Sequence, residues 1–157
     1  MSNDAECSSA APRARSLRFT IPSDFERSRE VQQQIMAEVE SLGYCEAALF
    51  AIKLSLDEAL VNAIKHGNRL DKSRTVHIEA DIGPEQARFV IEDQGPGFDR
   101  DVVADPRCDG NLEKCCGRGI LLIEAYMTRV AWSDNGRRCT MMRVNAPNSP
   151  SAGSMKC

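Results

Sequence analysis

The stretch DEALVNAIKHGN, residues 57–68, decides the fold. Together with the preceding leucine, its apolar residues recur at three- and four-residue spacing, as in a helix packed on a core. These apolar positions are Leu56, Leu60 and Ala63. Glu58, Asn62 and His66 recur every four residues and point roughly the other way, and Gly67 marks a helix end. A solvated helix face more usually carries Lys and Glu, so this stripe is a candidate site.

Working outward, alternation of apolar residues predicts strands, and helical spacing predicts two further helices. The predicted order is strand 16–24, helix 25–44 capped by Asp24, helix 46–67, a hairpin of strands 74–83 and 86–93, a long loop 98–117, helix 119–130, and a closing hairpin of 130–133 and 138–144 around the turn DNG. This order predicts a two-layer α/β sandwich, with helices on one face of a mixed, mainly antiparallel sheet. The domain is predicted over 16–146, between a disordered segment 1–15 and a loose tail 147–157.

Composition excludes several classes of protein. With 157 residues, 42% hydrophobic and 27% charged, the chain fits one globular domain. A net charge of −3 argues against binding nucleic acid through bulk electrostatics. An apolar run of roughly 18 residues, as a membrane span needs, is absent, and so is the apolar core of a secretory signal. Seven cysteines without C-x-x-C spacing are expected to be reduced thiols. These features predict a cytoplasmic protein without nucleic-acid or membrane partners.

The polar stripe carries the first piece of chemistry. Glu58 can act as a general base on a hydroxyl or a water. The amide oxygen of Asn62, one helical turn later, is a hard ligand that Mg²⁺ accepts beside phosphates and waters. His66 is interpreted as capping the helix end or packing beside the site. A solvated helix face remains the alternative explanation for the stripe.

The second piece is EDQGPGFD, residues 92–99, directly after a predicted strand. Asp93 lies where the strand ends. Gly95 and Gly97 allow backbone bends and a close approach that a Cβ atom would prevent. A simple turn is the alternative explanation of this motif. The motif lies at a strand end and opens the long loop, and this position favours a functional site.

The third piece is GRGI, residues 117–120, at the start of the third predicted helix. Gly117 and Gly119 would leave the first helical amides open to an anion. The segment is not a Walker A loop, because no Gly-Lys-Ser/Thr follows, and Leu122 occupies the place of the last glycine of a G-x-G-x-x-G fingerprint. A glycine hinge at a helix start is the alternative.

In this order, E-x-x-x-N, D-x-G-x-G and G-x-G-I resemble the N, G1 and G2 boxes of the GHKL ATPase superfamily. The closer resemblance is to the anti-sigma-factor serine kinases, through LSLDEALVNAIKHG, DQGPGFD, a loop with DP (105–106) and NL (111–112), and GRGILLIEAYMTRV. The resemblance covers residues 16–144 and implies the ATP-binding sandwich of that superfamily, the Bergerat fold.

The resemblance also implies a role for each matching residue. Glu58 would be the general base that takes the proton from a serine hydroxyl of a partner protein. Asn62 would bind Mg²⁺ against the ATP phosphates. Asp93 would accept a hydrogen bond from the adenine amino group, while Gly95 and Gly97 let the chain bend under the purine.

The remaining matches lie toward the C-terminus. Gly117, Arg118, Gly119 and Ile120 would place backbone amides near the phosphates. Thr140 aligns with a threonine that commonly supports the adenine aspartate, although GRR (136–138) replaces the usual Gly-Thr opening of that segment.

As a whole, the resemblance implies a serine kinase that uses ATP and Mg²⁺ to phosphorylate an anti-sigma-factor antagonist, and that binds and inhibits a sigma factor. Homodimerisation through the first strand and helix is the habit of this family. A non-catalytic, nucleotide-gated binding module is the main alternative, and Glu58 distinguishes the two, since a pure binder needs no base there. An ATPase that uses water fits less well, because the chain lacks the transducer domain of such enzymes.

Overall fold

A computed structural model of the protein describes residues 13–97 and 115–146. Its elements in chain order are strand β1 Arg15–Pro22, helix α1 Phe25–Ser41, helix α2 Glu46–Val61, a π-helical turn Asn62–Gly67, strands β2 Thr75–Ile82 and β3 Gln86–Glu92, helix α3 Cys115–Tyr126, and strands β4 Arg129–Ser133 and β5 Arg138–Val144. The predicted disordered segment (except its last three residues), most of the predicted loop and the predicted tail lie outside the described residues.

The five strands form one sheet in the order β1-β2-β3-β5-β4. Every strand pairing within the described residues is antiparallel. The predicted two-layer α/β sandwich is therefore confirmed, and the described sheet is simpler than the mixed sheet that the sequence suggested. None of the helices in the described ranges is long and apolar enough to cross a bilayer.

Residues of alternating burial give the sheet a core face and an outer face. On the core face, Ile78 and Phe89 pack in one cluster with Ile35 and Leu56 of the helices, and all four are fully buried. The outer face is polar, with ion pairs such as Arg18–Glu79 at 3.2 Å. Each buried Ile or Leu side chain contributes about 1.5–3 kcal/mol of transfer free energy, so this core holds the two layers together.

Helix α1 begins where the sequence predicts. The Asp24 side chain accepts hydrogen bonds from the backbone N–H groups of Glu26 and Arg27, at 2.9 and 3.1 Å. Such a cap is worth about 1 kcal/mol and fixes the helix start. These bonds also lower the pKa of Asp24.

The second predicted helix does not stay α-helical to its end. It changes at Asn62 into a π turn, and the N–H of Asn68 donates to the carbonyl of Ala63, five residues earlier, at 2.8 Å. Single π turns occur frequently at functional sites. Here the extra residue brings Gly67 against the end of β3, as described below.

The third helix lies four residues earlier than the sequence predicted, at Cys115–Tyr126 instead of 119–130. It ends early because the N–H of Thr128 donates to the carbonyl of Met142 at 2.8 Å, and Arg129 already pairs within β4. The β-branched Thr128 and Val130 favour this extended conformation. The closing hairpin is confirmed, with Asp134 and Asn135 at φ of 52° and 55° in its turn.

Candidate functional site

Glu58 on α2 and Asn62 at the start of the π turn face the start of α3. A Cβ atom at Gly119 would lie 2.7 Å from Oε2 of Glu58 and 3.4 Å from Nδ2 of Asn62. Glycine at this position therefore lets the α3 backbone approach the acid and the amide without a clash. The structure brings together these three residues, which the sequence assigned to two separate motifs.

Asn62 has an unusual environment. Its amide nitrogen is buried and has no hydrogen-bond partner among the described residues. Buried polar atoms are normally paired, so an unpaired one calls for an explanation such as a ligand. The amide oxygen of the same side chain is a donor of the kind that Mg²⁺ accepts beside phosphates and waters. The residues present therefore fit a site for a magnesium-bound phosphate.

Asp93 lies at the end of β3, and its residue surface is only 8% exposed. Its N–H donates to the carbonyl of Arg137 at 3.0 Å, and the N–H of Gly95 donates to its Oδ1 at 2.8 Å. Burial raises the pKa of Asp93, an effect partly opposed by the Gly95 hydrogen bond and by the charge of Arg137. A buried, pre-oriented carboxylate is suited to accept a hydrogen bond from a ligand.

Two glycines let the π turn pack directly on the turn that follows β3. A Cβ atom at Gly67 would overlap the carboxylate of Asp93, and one at Gly95 would overlap the carbonyl of Gly67. Gly97 lies further along the same turn, in the left-handed region at φ 81°. The bends predicted at Gly95 and Gly97 are thus present, and the first of them serves a close backbone contact.

A small cavity separates the π turn from the sheet. Its lining residues are Ala59, Asn62, Ala63, Ile91, Asp93, Trp132, Gly136, Arg137 and Cys139. Its volume is about 10 Å³, which is room for about one water molecule. The walls are mainly apolar, and Asp93 is the acidic group among the lining residues.

Thr140 is not among the lining residues. It pairs with Val90 and Ala131, whereas its neighbour Cys139 pairs with Ile91 and Trp132. Because strand side chains alternate between faces, Cys139 faces the helices and Thr140 faces the outer side of the sheet. The resemblance implied that Thr140 supports Asp93. The strand register contradicts this role, because it places Cys139 in the cavity instead of Thr140.

The predicted amide site at GRGI is shifted as well. Since α3 begins at Cys115, the amides of its first three residues, Cys115 to Gly117, lack helical partners. Gly117 remains in this group. Arg118, Gly119 and Ile120 lie deeper in the helix, where their amides have helical acceptors, and Ile120 is only 6% exposed. The role of Gly119 is its close approach to Glu58, which spacing alone did not indicate.

Sequence reasoning missed Asn68, which is fully buried directly after the π turn. In the sequence it looked like an ordinary Gly-Asn helix ending. It also missed Arg137 and Trp132, which reach the cavity from the closing hairpin.

His66 lies in the π turn and is half-buried, and burial lowers its pKa, with a further contribution from the charge of Lys65. This environment agrees with packing beside the site.

Comparison with known proteins places this geometry in a family. Residues 21–144 match the model of the histidine kinase-like ATPase domain. Over 78 residues the chain is 33% identical to the anti-sigma F factors of three Clostridium perfringens strains. These matches cover 48% of this chain and 56% of each relative, so the chain spans little more than half the length of these relatives.

A solved structure supports the fold independently. The crystal structure of the RsbU and RsbW domains of Rv1364c from Mycobacterium tuberculosis superposes with a TM-score of 0.58, at 16% identity, over 87% of this chain and 34% of that one. The resemblance of the sequence to the anti-sigma-factor kinases of the GHKL superfamily is confirmed by these matches. Because the family model spans most of the chain, the protein belongs to the histidine kinase-like ATPase domain family.

Proposed function

We propose that the protein is an ATP-dependent serine kinase that phosphorylates an anti-sigma-factor antagonist, and that it also binds and inhibits a sigma factor. The observation that carries this proposal is the contact of Glu58 and Asn62 with Gly119, beside the cavity that contains Asp93. The names of the relatives, which are anti-sigma F factors, support the class of partner.

The adenine ring would bind beside Asp93, whose carboxylate would accept a hydrogen bond from the exocyclic amino group. Guanine presents a carbonyl oxygen at the corresponding position, which a buried carboxylate repels. Bends at Gly95 and Gly97 would let the chain pass under the ring.

The phosphates would extend from the cavity toward α3. Asn62 would hold Mg²⁺ through its amide oxygen, and the ion would neutralise phosphate charge during transfer. The backbone amide of Gly117, in the first turn of α3, would bind a phosphate oxygen. Phosphoryl transfer depends mainly on positioning and charge stabilisation, which these groups supply.

Glu58 would act on the protein substrate. The serine oxygen attacks the γ-phosphorus, the bond to the bridging β–γ oxygen breaks and ADP leaves, while the serine proton passes to the Glu58 carboxylate. A protein that only binds nucleotide would need no carboxylate at this point. The protein would act in the cytoplasm. It would also self-associate through β1 and α1.

Substitution of Glu58 by glutamine tests the base. Glu58→Gln keeps the size of the side chain, so ADP affinity should stay within about twofold, while phosphorylation of a purified antagonist protein should fall by roughly 10²–10⁴-fold. Glu46→Gln, in the first turn of the same helix, is the matched control and should change neither quantity. Unchanged phosphorylation by Glu58→Gln would refute the base, whereas a wild type that binds ADP without phosphorylating the antagonist would favour the binding module.

A further inference from the structure

Asn68 connects three segments of the chain through one side chain. Its Nδ2 donates to Oγ of Ser23 at 2.8 Å and to the carbonyl of Thr75 at 2.9 Å, and its Oδ1 accepts from the N–H of Gln94 at 2.8 Å. These partners belong to the end of β1, the start of β2 and the turn after β3. Both amide hydrogens are used, so the orientation of this fully buried side chain is fixed.

The contacts close into a ring. Asn68 donates to the carbonyl of Thr75, the N–H of Thr75 donates to Oε1 of Gln94 at 2.7 Å, and the N–H of Gln94 donates back to Asn68. The ring is anchored on the buried amide of Asn68, whose donors and acceptor are all paired, while the Gln94 side chain closes it at the surface. The turn after β3 is therefore held from within the protein.

This ring lies next to Asp93 in the chain. The N–H of Asp93 is held by the carbonyl of Arg137, and the N–H of the next residue, Gln94, is held by Asn68. The peptide groups on both sides of Asp93 are thus fixed, while the N–H of Gly95 orients its carboxylate. Movement of Gln94 would change the direction of the carboxylate in the cavity.

We infer that Asn68 is a positioning residue for adenine recognition, which acts on Asp93 through the backbone of Gln94. The inference rests on the proposed function, since it assigns the Asp93 carboxylate to the purine. It predicts that loss of the Asn68 side chain weakens recognition of the base and leaves recognition of the phosphates intact. A residue that served stability alone would not discriminate between the two.

Asn145 provides a matched control at the opposite end of the sheet. Its side chain also joins three segments, accepting from the N–H of Cys45 at 2.9 Å and donating to the carbonyls of Gly43 and Pro84 at 3.4 and 3.1 Å. We expect Asn145→Ala and Asn68→Ala both to lower the melting temperature, but Asn145→Ala should have no effect on the cavity.

The experiment measures affinities for ADP and for inorganic pyrophosphate, both with Mg²⁺, in the wild type, Asn68→Ala and Asn145→Ala. We expect Asn68→Ala to bind ADP at least tenfold more weakly and pyrophosphate within twofold of the wild type, and Asn145→Ala to bind both normally. Unchanged ADP affinity, or an equal loss for both ligands, would overturn the inference. If Asn68→Ala does not fold, Gln94→Ala opens the same ring from an exposed position. This variant should bind ADP at least threefold more weakly than the wild type and pyrophosphate equally well. An ADP affinity equal to that of the wild type would overturn the inference.

Amide hydrogen exchange separates this inference from the proposed function. The amide of Gln94 should exchange at least tenfold faster in Asn68→Ala than in the wild type, and at the wild-type rate in Asn145→Ala. A Gln94 amide that exchanges at the wild-type rate in Asn68→Ala would contradict the claim that Asn68 holds the turn after β3 in place. A wild type that binds no ADP, with the exchange difference present, would refute the adenine site and retain the role of Asn68 in fixing the turn.

Discussion

Replacing Gly119 by alanine separates the chemistry of the α2–α3 contact from its contribution to folding. The new Cβ atom would lie 2.7 Å from Oε2 of Glu58, and an ordinary contact begins near 3.4 Å. The carboxylate must therefore retreat by about 0.7 Å, the difference between these distances. The end of a half-buried glutamate side chain can move that far without disturbing the core.

The two effects of Gly119→Ala have opposite signs. In a helix interior, alanine is more favourable than glycine by about 0.5–1 kcal/mol, so the variant should be as stable as the wild type or slightly more stable. A misplacement of about 1 Å at a reacting group costs on the order of 10²-fold in rate. We therefore expect phosphoryl transfer to the antagonist to fall about 10–100-fold without a lower melting temperature.

Thermal unfolding and an assay of serine phosphorylation on the same preparations test this prediction. Gly83→Ala is the matched control, since its Cβ atom would meet only the carbonyl oxygen of Gln86, at an ordinary 3.4 Å. Full kinase activity in Gly119→Ala would refute the placement of Glu58 against α3. Destabilisation by more than about 1 kcal/mol would show that the contact is tighter than the described geometry allows.

Two further predictions concern Asp93. Burial raises its pKa above the ordinary 3.8. The ionised carboxylate is a stronger acceptor for the adenine amino group than the protonated acid, so ADP affinity should fall as the pH falls through this raised pKa. Calorimetric titrations from pH 7 to pH 4 should show this fall, and an Asp93→Asn profile as steep as that of the wild type would contradict it. Gly67→Ala should lower the free energy of unfolding by about 1–3 kcal/mol and weaken ADP binding at least tenfold, because its Cβ atom would overlap the buried carboxylate of Asp93. Denaturant unfolding and calorimetry measure these two quantities. Normal stability and normal ADP affinity would show that the π turn does not pack on Asp93.

Most of the fold follows from local patterns in the sequence. Alternating residues such as Val76, Ile78 and Ala80 mark a strand with one buried face, and the structure places them in the core. The Asp24 cap and the DNG turn are also local features, because their hydrogen bonds join residues a few positions apart. Such features are visible in a single sequence.

Parts of the site depend on contacts that no local pattern encodes. The apolar Met141 and Met142 are adjacent, so RCTMMRV does not show which set of alternate residues faces the helices, and no local pattern places Thr140 on the outer face. Arg143 obscures the pattern further, because it is only 6% exposed and its guanidinium donates to the carbonyl of Tyr126 at 2.8 Å.

The π turn and Asn68 could not be predicted for a related reason. A helical periodicity of four residues continues through His66, so the widened turn leaves no trace in the sequence. The partners of Asn68 include Ser23 and Gln94, which are 45 and 26 residues away. Only the assembled sheet brings these residues together.

The central claim is that a magnesium-bound adenine nucleotide binds with its base at Asp93 and its phosphates between Asn62 and α3. Isothermal titration of the wild type and of Asp93→Asn, with ADP, GDP and pyrophosphate in the presence of Mg²⁺, tests it most directly. We predict saturable ADP binding with a Kd below about 1 mM, weaker GDP binding, and an Asp93→Asn variant that loses at least tenfold in ADP affinity while it binds pyrophosphate normally. No heat with ADP at millimolar concentration, or equal affinities of both proteins for ADP, would contradict the claim.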